Sequence, residues 1–148
     1  MLASVFLALL QRSFAFPVQG DRPENLVDLG YAKYQGHTNG AGIKEFLGMR
    51  YAAPPTGNLR FRAPADPNAT SIVQDASAFG PTCFGPGGYS ASTGEDCLFI
   101  NVFAPADATA ASKLPVWFYI QGGGFAANSN ANYNGELDEQ PARVHLGG

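Results

Sequence analysis

Hydrophobic positions along the chain group into short runs punctuated by glycine and proline, which predicts strands and turns rather than long helices. Leu26 to Tyr34 alternates loosely between apolar and polar residues. It gives way to Gln35-Gly36-His37-Thr38-Asn39-Gly40, where Asn-Gly is a strong turn signal. The next run, Ile43 to Tyr51, is interrupted by Gly48 and stopped by Pro54-Pro55. These two runs are expected to lie side by side as antiparallel strands joined by the glycine-rich turn. Residues 54–96 hold no long periodic segment, only a short apolar stretch at Ser71 to Val73, and an irregular region of that length usually belongs to a larger protein. Leu98 to Phe103 and Val116 to Ile120 are continuous apolar runs, the pattern of strands buried on both faces of a mixed or parallel sheet. In the second run, alternation puts Trp117 and Tyr119 on one face and Val116, Phe118 and Ile120 on the other. That strand runs into Gln121-Gly122-Gly123-Gly124-Phe125. A strand ending in glycines exposes backbone N–H groups at the end of a sheet, where they can hold a developing oxyanion.

Composition narrows the class. The chain has 148 residues, enough for one domain of ordinary size, and its 45% hydrophobic content is globular. A formal net charge of -3 supplies no basic field, so nucleic acid is not an expected partner. Leu2 to Leu10 is an apolar run too short to span a bilayer, and Ser13-Phe14-Ala15 places small residues where a signal peptidase reads them. Residues 1–15 are therefore expected to be a secretory signal peptide and 16–148 the mature domain; a buried apolar N-terminal helix is the alternative. No later segment is long enough for a stable membrane anchor. Asn68-Ala69-Thr70 is a glycosylation sequon among prolines that place it in an exposed loop. Cys83 and Cys97 are the only cysteines, and a glycine-rich loop between them lets them approach. In an oxidising compartment they should pair and contribute roughly 3 kcal/mol; two buried thiols are the alternative.

Three motifs carry a resemblance. They are Tyr51-Ala52-Ala53-Pro54-Pro55-Thr56-Gly57-Asn58-Leu59-Arg60-Phe61, then Glu95-Asp96-Cys97-Leu98 with the strand after it, then Gln121-Gly122-Gly123-Gly124-Phe125. In this order and spacing the chain resembles the type B carboxylesterases from about Leu26 to Tyr133. That family includes the cholinesterases and several fungal lipases, and the likeness is to its secreted fungal members. The resemblance implies an α/β fold, the N-terminal portion of an α/β-hydrolase, in which an antiparallel β-hairpin leads into the central mixed sheet and the fold is incomplete. It implies hydrolysis of small-molecule or lipid esters through an acyl-serine intermediate, with no cofactor and no metal. By the same resemblance Gly123 and Gly124 give two backbone N–H arms of an oxyanion hole. Gly122 and Phe125 border the substrate pocket, although Phe125 could equally be ordinary core. Gln121 stands where relatives often carry His or Tyr. Cys83 and Cys97 match the family's first disulfide, and Arg60 with Glu95 matches a structural ion pair, where each charge alone reads as a solvated surface residue.

Two rival readings of the glycines fail on context, while a glycine-rich loop without catalytic role stays open as the plain alternative. Gly122-Gly123-Gly124-Phe125-Ala126-Ala127 satisfies the dinucleotide-binding fingerprint, yet Ala127 to Gly135 is a poor helix former and no helix is expected there. No Gly-Lys-Ser/Thr follows to cradle a phosphate. The acyl-serine mechanism also needs a Ser on a G-x-S-x-G elbow, a His and an acid, and no G-x-S-x-G occurs. His37 and His145 read as incidental surface residues. Gln140 to Gly148 does not look like the buried strand that follows the glycine loop in relatives, which suggests a truncated product with Val116 to Ile120 left unpaired. Two classes of function stay open: the N-terminal fragment of a secreted ester hydrolase, or a non-catalytic cholinesterase-like fragment or binding module.

Overall fold

A computed structural model describes residues 24–86 and 90–124, and the backbone of 144–147. The expected signal peptide, Phe125 and the segment from Ala127 to Gly135 lie outside the described residues.

The chain enters as β1 (Leu26–Asp28) and turns back as β2 (Lys33–Gln35), antiparallel, with Leu26 opposite Gln35. The run from Leu26 to Tyr34 thus folds on itself instead of pairing with the run from Ile43. Its hinge is Gly30, whose φ is +84° and whose N–H donates to Asp28 Oδ1 at 2.9 Å. An Asp side chain bonding two residues on, followed by a left-handed glycine, closes a turn that the apolar alternation concealed. The hairpin at Asn39-Gly40 exists, but its first arm is the short β3 (His37–Thr38) against β4 (Ile43–Arg50), with His37 opposite Glu45. Asn39 Oδ1 accepts from the amides of Ala41 (2.9 Å) and Ile43 (3.1 Å) and so shapes the turn.

After a 3₁₀ turn at Gly57–Leu59, β5 (Val73–Asp75) joins β2 in parallel and completes a three-stranded sheet. β6 (Thr82–Cys83) and β7 (Thr93–Gly94) form a small parallel pair. β8 (Phe99–Pro105) lies antiparallel to β4, followed by β9 (Val116–Tyr119) and β10 (Val144–Gly147). The second sheet is mixed, in the order β3-β4-β8-β10-β9, with β10 antiparallel to β8 and parallel to β9.

Two expectations are corrected here. The tail was not expected to form the next strand of the sheet, yet Val144–Gly147 does so, between β8 and β9. Four residues are too few to show periodicity, and a strand paired on both sides has its backbone groups satisfied by its neighbours whatever its composition. Val116 to Ile120 was expected to be buried on both faces and unpaired. It pairs with β10 at the margin of the sheet, and Val116, Phe118 and Ile120 are 59%, 51% and 74% exposed. An apolar run records a strand's preference for burial; cover comes from a second layer, and the only helical element among the described residues is the 3₁₀ turn.

The core sits where the two sheets meet: Ala32, Tyr34, Met49 and Ala76 are buried together, with Phe46, Ile100 and Val102 packed against them. A β-bulge in β4 holds this junction. Phe46 faces Val102 and Met49 faces Ile100, so Leu47 and Gly48 together oppose Asn101. The bulge frees the Leu47 amide to donate to Ala76 O at 2.8 Å in the other sheet, and the Gly48 amide donates to Asn101 Oδ1 at 2.8 Å. Asn101 is only 2% exposed. Replacing Asn101 by Ala is expected to cost about 2 kcal/mol, because the Gly48 amide loses its partner where water has little access. Urea unfolding of the variant beside the parent chain measures it.

Candidate active site

β9 and β10 run in parallel, and ligands of open α/β sheets collect beyond the carboxyl ends of such strands. The glycine loop leaves β9 at that end. Gly123 has φ +134° and Gly124 φ +61°, conformations that side-chain-bearing L residues rarely adopt. A Cβ on Gly122 or Gly124 would meet nothing within 4 Å. Among the described residues nothing crowds Gly124, so its left-handed backbone conformation is what calls for glycine there.

Behind the loop, a cleft of about 70 Å³ runs from Gln121 past Asn101 and Phe99 to Tyr51, Cys83 and Cys97. The cysteines form a disulfide with Cα atoms 5.0 Å apart. Replacing both by Ser is expected to cost roughly 3 kcal/mol, since a bridge across a sequence separation of 14 removes loop-closure freedom from the unfolded chain. The midpoint of guanidinium unfolding, with and without reductant, tests this; the reduced parent should fall to the variant's value.

Glu95 and Asp96, the two residues before Cys97, each meet an arginine. Arg60 Nη2 lies 3.1 Å from Glu95 Oε1 at the surface, with more than half of the arginine side chain exposed. Screening by water leaves an exposed pair of this kind little net energy. Arg50 makes the stronger contact: Nη1 and Nη2 donate to the two Asp96 oxygens at 2.6 and 2.8 Å, and the guanidinium lies over the Phe99 ring at 4.7 Å. The hydrogen bonds to Asp96 hold the Arg50 pKa above its ordinary value. Tyr34 OH accepts from the Arg50 amide, and Tyr31 OH donates to the Arg50 carbonyl at 2.6 Å. Burial raises the Tyr31 pKa, so this hydroxyl keeps its proton. Core, arginine, Asp96 and disulfide are thereby linked in one chain of contacts beside the cleft.

Sequence reasoning singled out Arg60 and Glu95 but passed over Arg50, Asp96 and Asn101. The signal for Asn101 was present, since it is the one polar residue of β8; Arg50 closes a strand that also carries Lys44 and Glu45 and does not stand out. His37 lies in β3, at the opposite margin of the sheet from β9, four strand spacings or roughly 19 Å from the strand that carries the glycines. Its Nε2 stands 3.2 Å from Glu45 Oε2, which ties it to the hairpin. His145 falls in β10, beside Trp117 in register. Asn68 is exposed in the loop before β5. Among the described residues no helix is long and apolar enough to cross a membrane.

Comparison with known proteins gives a consistent result. The profile of the carboxylesterase family matches residues 25–137. The chain is similar to the fumonisin B1 esterase of Sphingopyxis macrogoltabida, 40% identical over 94 residues that cover 60% of this chain and 17% of that protein. It is similar to the para-nitrobenzyl esterase of Bacillus subtilis, 38% identical over 119 residues, 74% of this chain and 24% of that one. Among solved structures, Aspergillus niger EstA superposes with a TM-score of 0.77 at 53% identity, over 84% of this chain and 25% of that one. The chain thus spans about a quarter or less of the length of these relatives, and its strands are the N-terminal portion of an α/β-hydrolase sheet.

Proposed function

Because the chain belongs to the carboxylesterase family, we propose that it supplies the N-terminal sheet and the oxyanion-hole loop of a secreted carboxylic-ester hydrolase working through an acyl-serine intermediate. The observation that carries this reading is the pair of left-handed glycines, Gly123 and Gly124, at the carboxyl end of a parallel strand. In the reaction a serine oxygen adds to the ester carbonyl and negative charge gathers on the carbonyl oxygen. Two backbone N–H groups aimed at that oxygen stabilise the transition state more than the substrate, which is what accelerates the step. Gly122 and Phe125 border the acyl or alcohol pocket. The ion pairs of Arg50 and Arg60 and the disulfide fix the loops behind it. Small-molecule or lipid esters are the substrate class, and neither cofactor nor metal takes part. The serine, its histidine and its acid come from outside these 148 residues, which contain no G-x-S-x-G. A disulfide between the only two cysteines supports export, with residues 1–15 as the signal peptide and Asn68 carrying an N-linked glycan.

The 148-residue chain alone is expected to leave 4-nitrophenyl butyrate unhydrolysed. Set in place of the matching quarter of Aspergillus niger EstA, it should support turnover. A folded chimera without turnover would favour the non-catalytic reading. Turnover by the chain alone that survives Gly123→Val would sink the oxyanion-hole assignment.

A further inference from the structure

A groove of about 350 Å³ lies between the β1–β2 turn and residues 69–71, and it shares no lining residue with the cleft beside the glycine loop. That volume is at the low end of the range of about 300–1,000 Å³ for small-molecule sites. Its lining is of two kinds. Tyr31 offers an aromatic surface, while Asp28, Lys33 and Ser71 offer an acceptor, a donor and a hydroxyl. Asp28 Oδ2 and Lys33 Nζ stand 3.4 Å apart, both about half exposed. A Cβ on Gly30 would meet nothing within 4 Å, so the turn leaves room. The sequon borders this groove directly. Ala69 and Thr70 line it, the Thr70 amide donates to Tyr31 O at 2.8 Å, and Thr70 Oγ1 accepts from the Ile72 amide at 3.2 Å. Asn68 is the exposed residue next along the chain.

We infer that an N-linked glycan on Asn68 lays its first sugar, an N-acetylhexosamine, in this groove and braces the β1–β2 turn against the loop before β5. The inference rests on the secretion proposed above. Attachment joins Asn68 Nδ2 to C1 of the sugar, supplied by a lipid-diphosphate-linked oligosaccharide in the secretory compartment. The C1–O bond to the diphosphate breaks, the lipid diphosphate leaves with the electron pair, and the amide nitrogen gives up one proton to a base. Once attached, the sugar's apolar C–H face packs on Tyr31, and its hydroxyls and acetamide meet Asp28, Lys33 and Ser71. The Gly30 amide and the Lys33 ammonium hold the Asp28 carboxyl below the usual carboxylate range, so it stays an acceptor at the mildly acidic pH of the secretory route.

The test uses the full chain secreted from a yeast host and trimmed in two ways: endoglycosidase H leaves one N-acetylglucosamine on Asn68, and peptide N-glycosidase F leaves none. The single-sugar form is expected to melt about 3 °C higher than the sugar-free form, which should match Asn68→Gln. An NOE should connect the acetamide methyl with Tyr31 or Lys33 protons, and Lys33→Ala should shrink the melting difference. A chain without glycan mass on Asn68 overturns the modification and the seat together while leaving the ester-hydrolase reading untouched. A glycosylated chain without that NOE overturns the seat, whatever its melting temperature.

Discussion

Gly48→Ala is expected to destabilise the chain by about 3 kcal/mol and to lower its melting temperature by about 10 °C. Two costs add. Gly48 has φ +64°, and an alanine held there carries left-handed strain. Its Cβ would also lie 2.7 Å from Ala78 O and 2.9 Å from Gly80 N, which are backbone atoms and cannot swing aside as a side chain can. The strain cannot relax by straightening β4, because the bulge is fixed on both sides by the Leu47 bond to Ala76 and the Gly48 bond to Asn101. Thermal unfolding followed by circular dichroism reads the loss. A change under about 1 kcal/mol would mean that the segment 78–80 moves away freely and that the bulge is not the joint between the sheets.

Gly48 also marks the limit of what the apolar pattern could say. The break it makes in the run from Ile43 to Tyr51 was visible in the sequence, but a glycine within a strand signals either a bulge or a close approach, and the pattern does not say against what. The answer lies 53 positions away in Asn101. The same holds for β1 and β2. Alternation over Leu26 to Tyr34 announced extended chain correctly, yet register depends on a turn closed by the Gly30 amide donating to Asp28 and the Leu29 amide donating to Ala32 O, contacts too local to disturb the hydrophobic period. β8 was easiest to read, since five of the six residues from Leu98 to Phe103 are apolar, broken only by Asn101, and match a strand paired on both sides. β10 was hardest. Its four residues carry no pattern, and its place between β8 and β9 follows from a crossover whose intervening residues say nothing in sequence about which edge they return to.

The candidate site divides in the same way. The cysteine motif was legible because it has one dominant physical reason, cross-linking; the glycines were legible as a strand-to-loop junction, but their left-handed backbone was not. The Arg50–Asp96 contact was not, because a bidentate pair is defined by two side chains brought together across 46 positions. Charge in a sequence has sign but no address. The exposed Arg60–Glu95 pair came to notice only through resemblance to a family, and its accessibility gives it a smaller share of the stability than the pair one residue further on.

In the chimera with Aspergillus niger EstA, Gly124→Val is expected to lower kcat for 4-nitrophenyl butyrate by about 10²–10³ while leaving KM within about threefold. A β-branched residue at φ +61° is strained by about 1–2 kcal/mol, and an exposed loop relieves that strain by rotating its peptide units. Rotation turns the Gly124 N–H away from the oxyanion. The ground-state ester gains little from that donor, so binding changes little, whereas the charged transition state loses a charge-assisted hydrogen bond. Asparagine separates the two components of the substitution, because it tolerates the left-handed region. Gly124→Asn should therefore retain at least a tenth of the parent kcat although it adds a side chain of similar bulk. If Asn is as damaging as Val, the loop tolerates no atoms in front of it and its role is to border the pocket. If neither variant loses turnover, the oxyanion is held elsewhere.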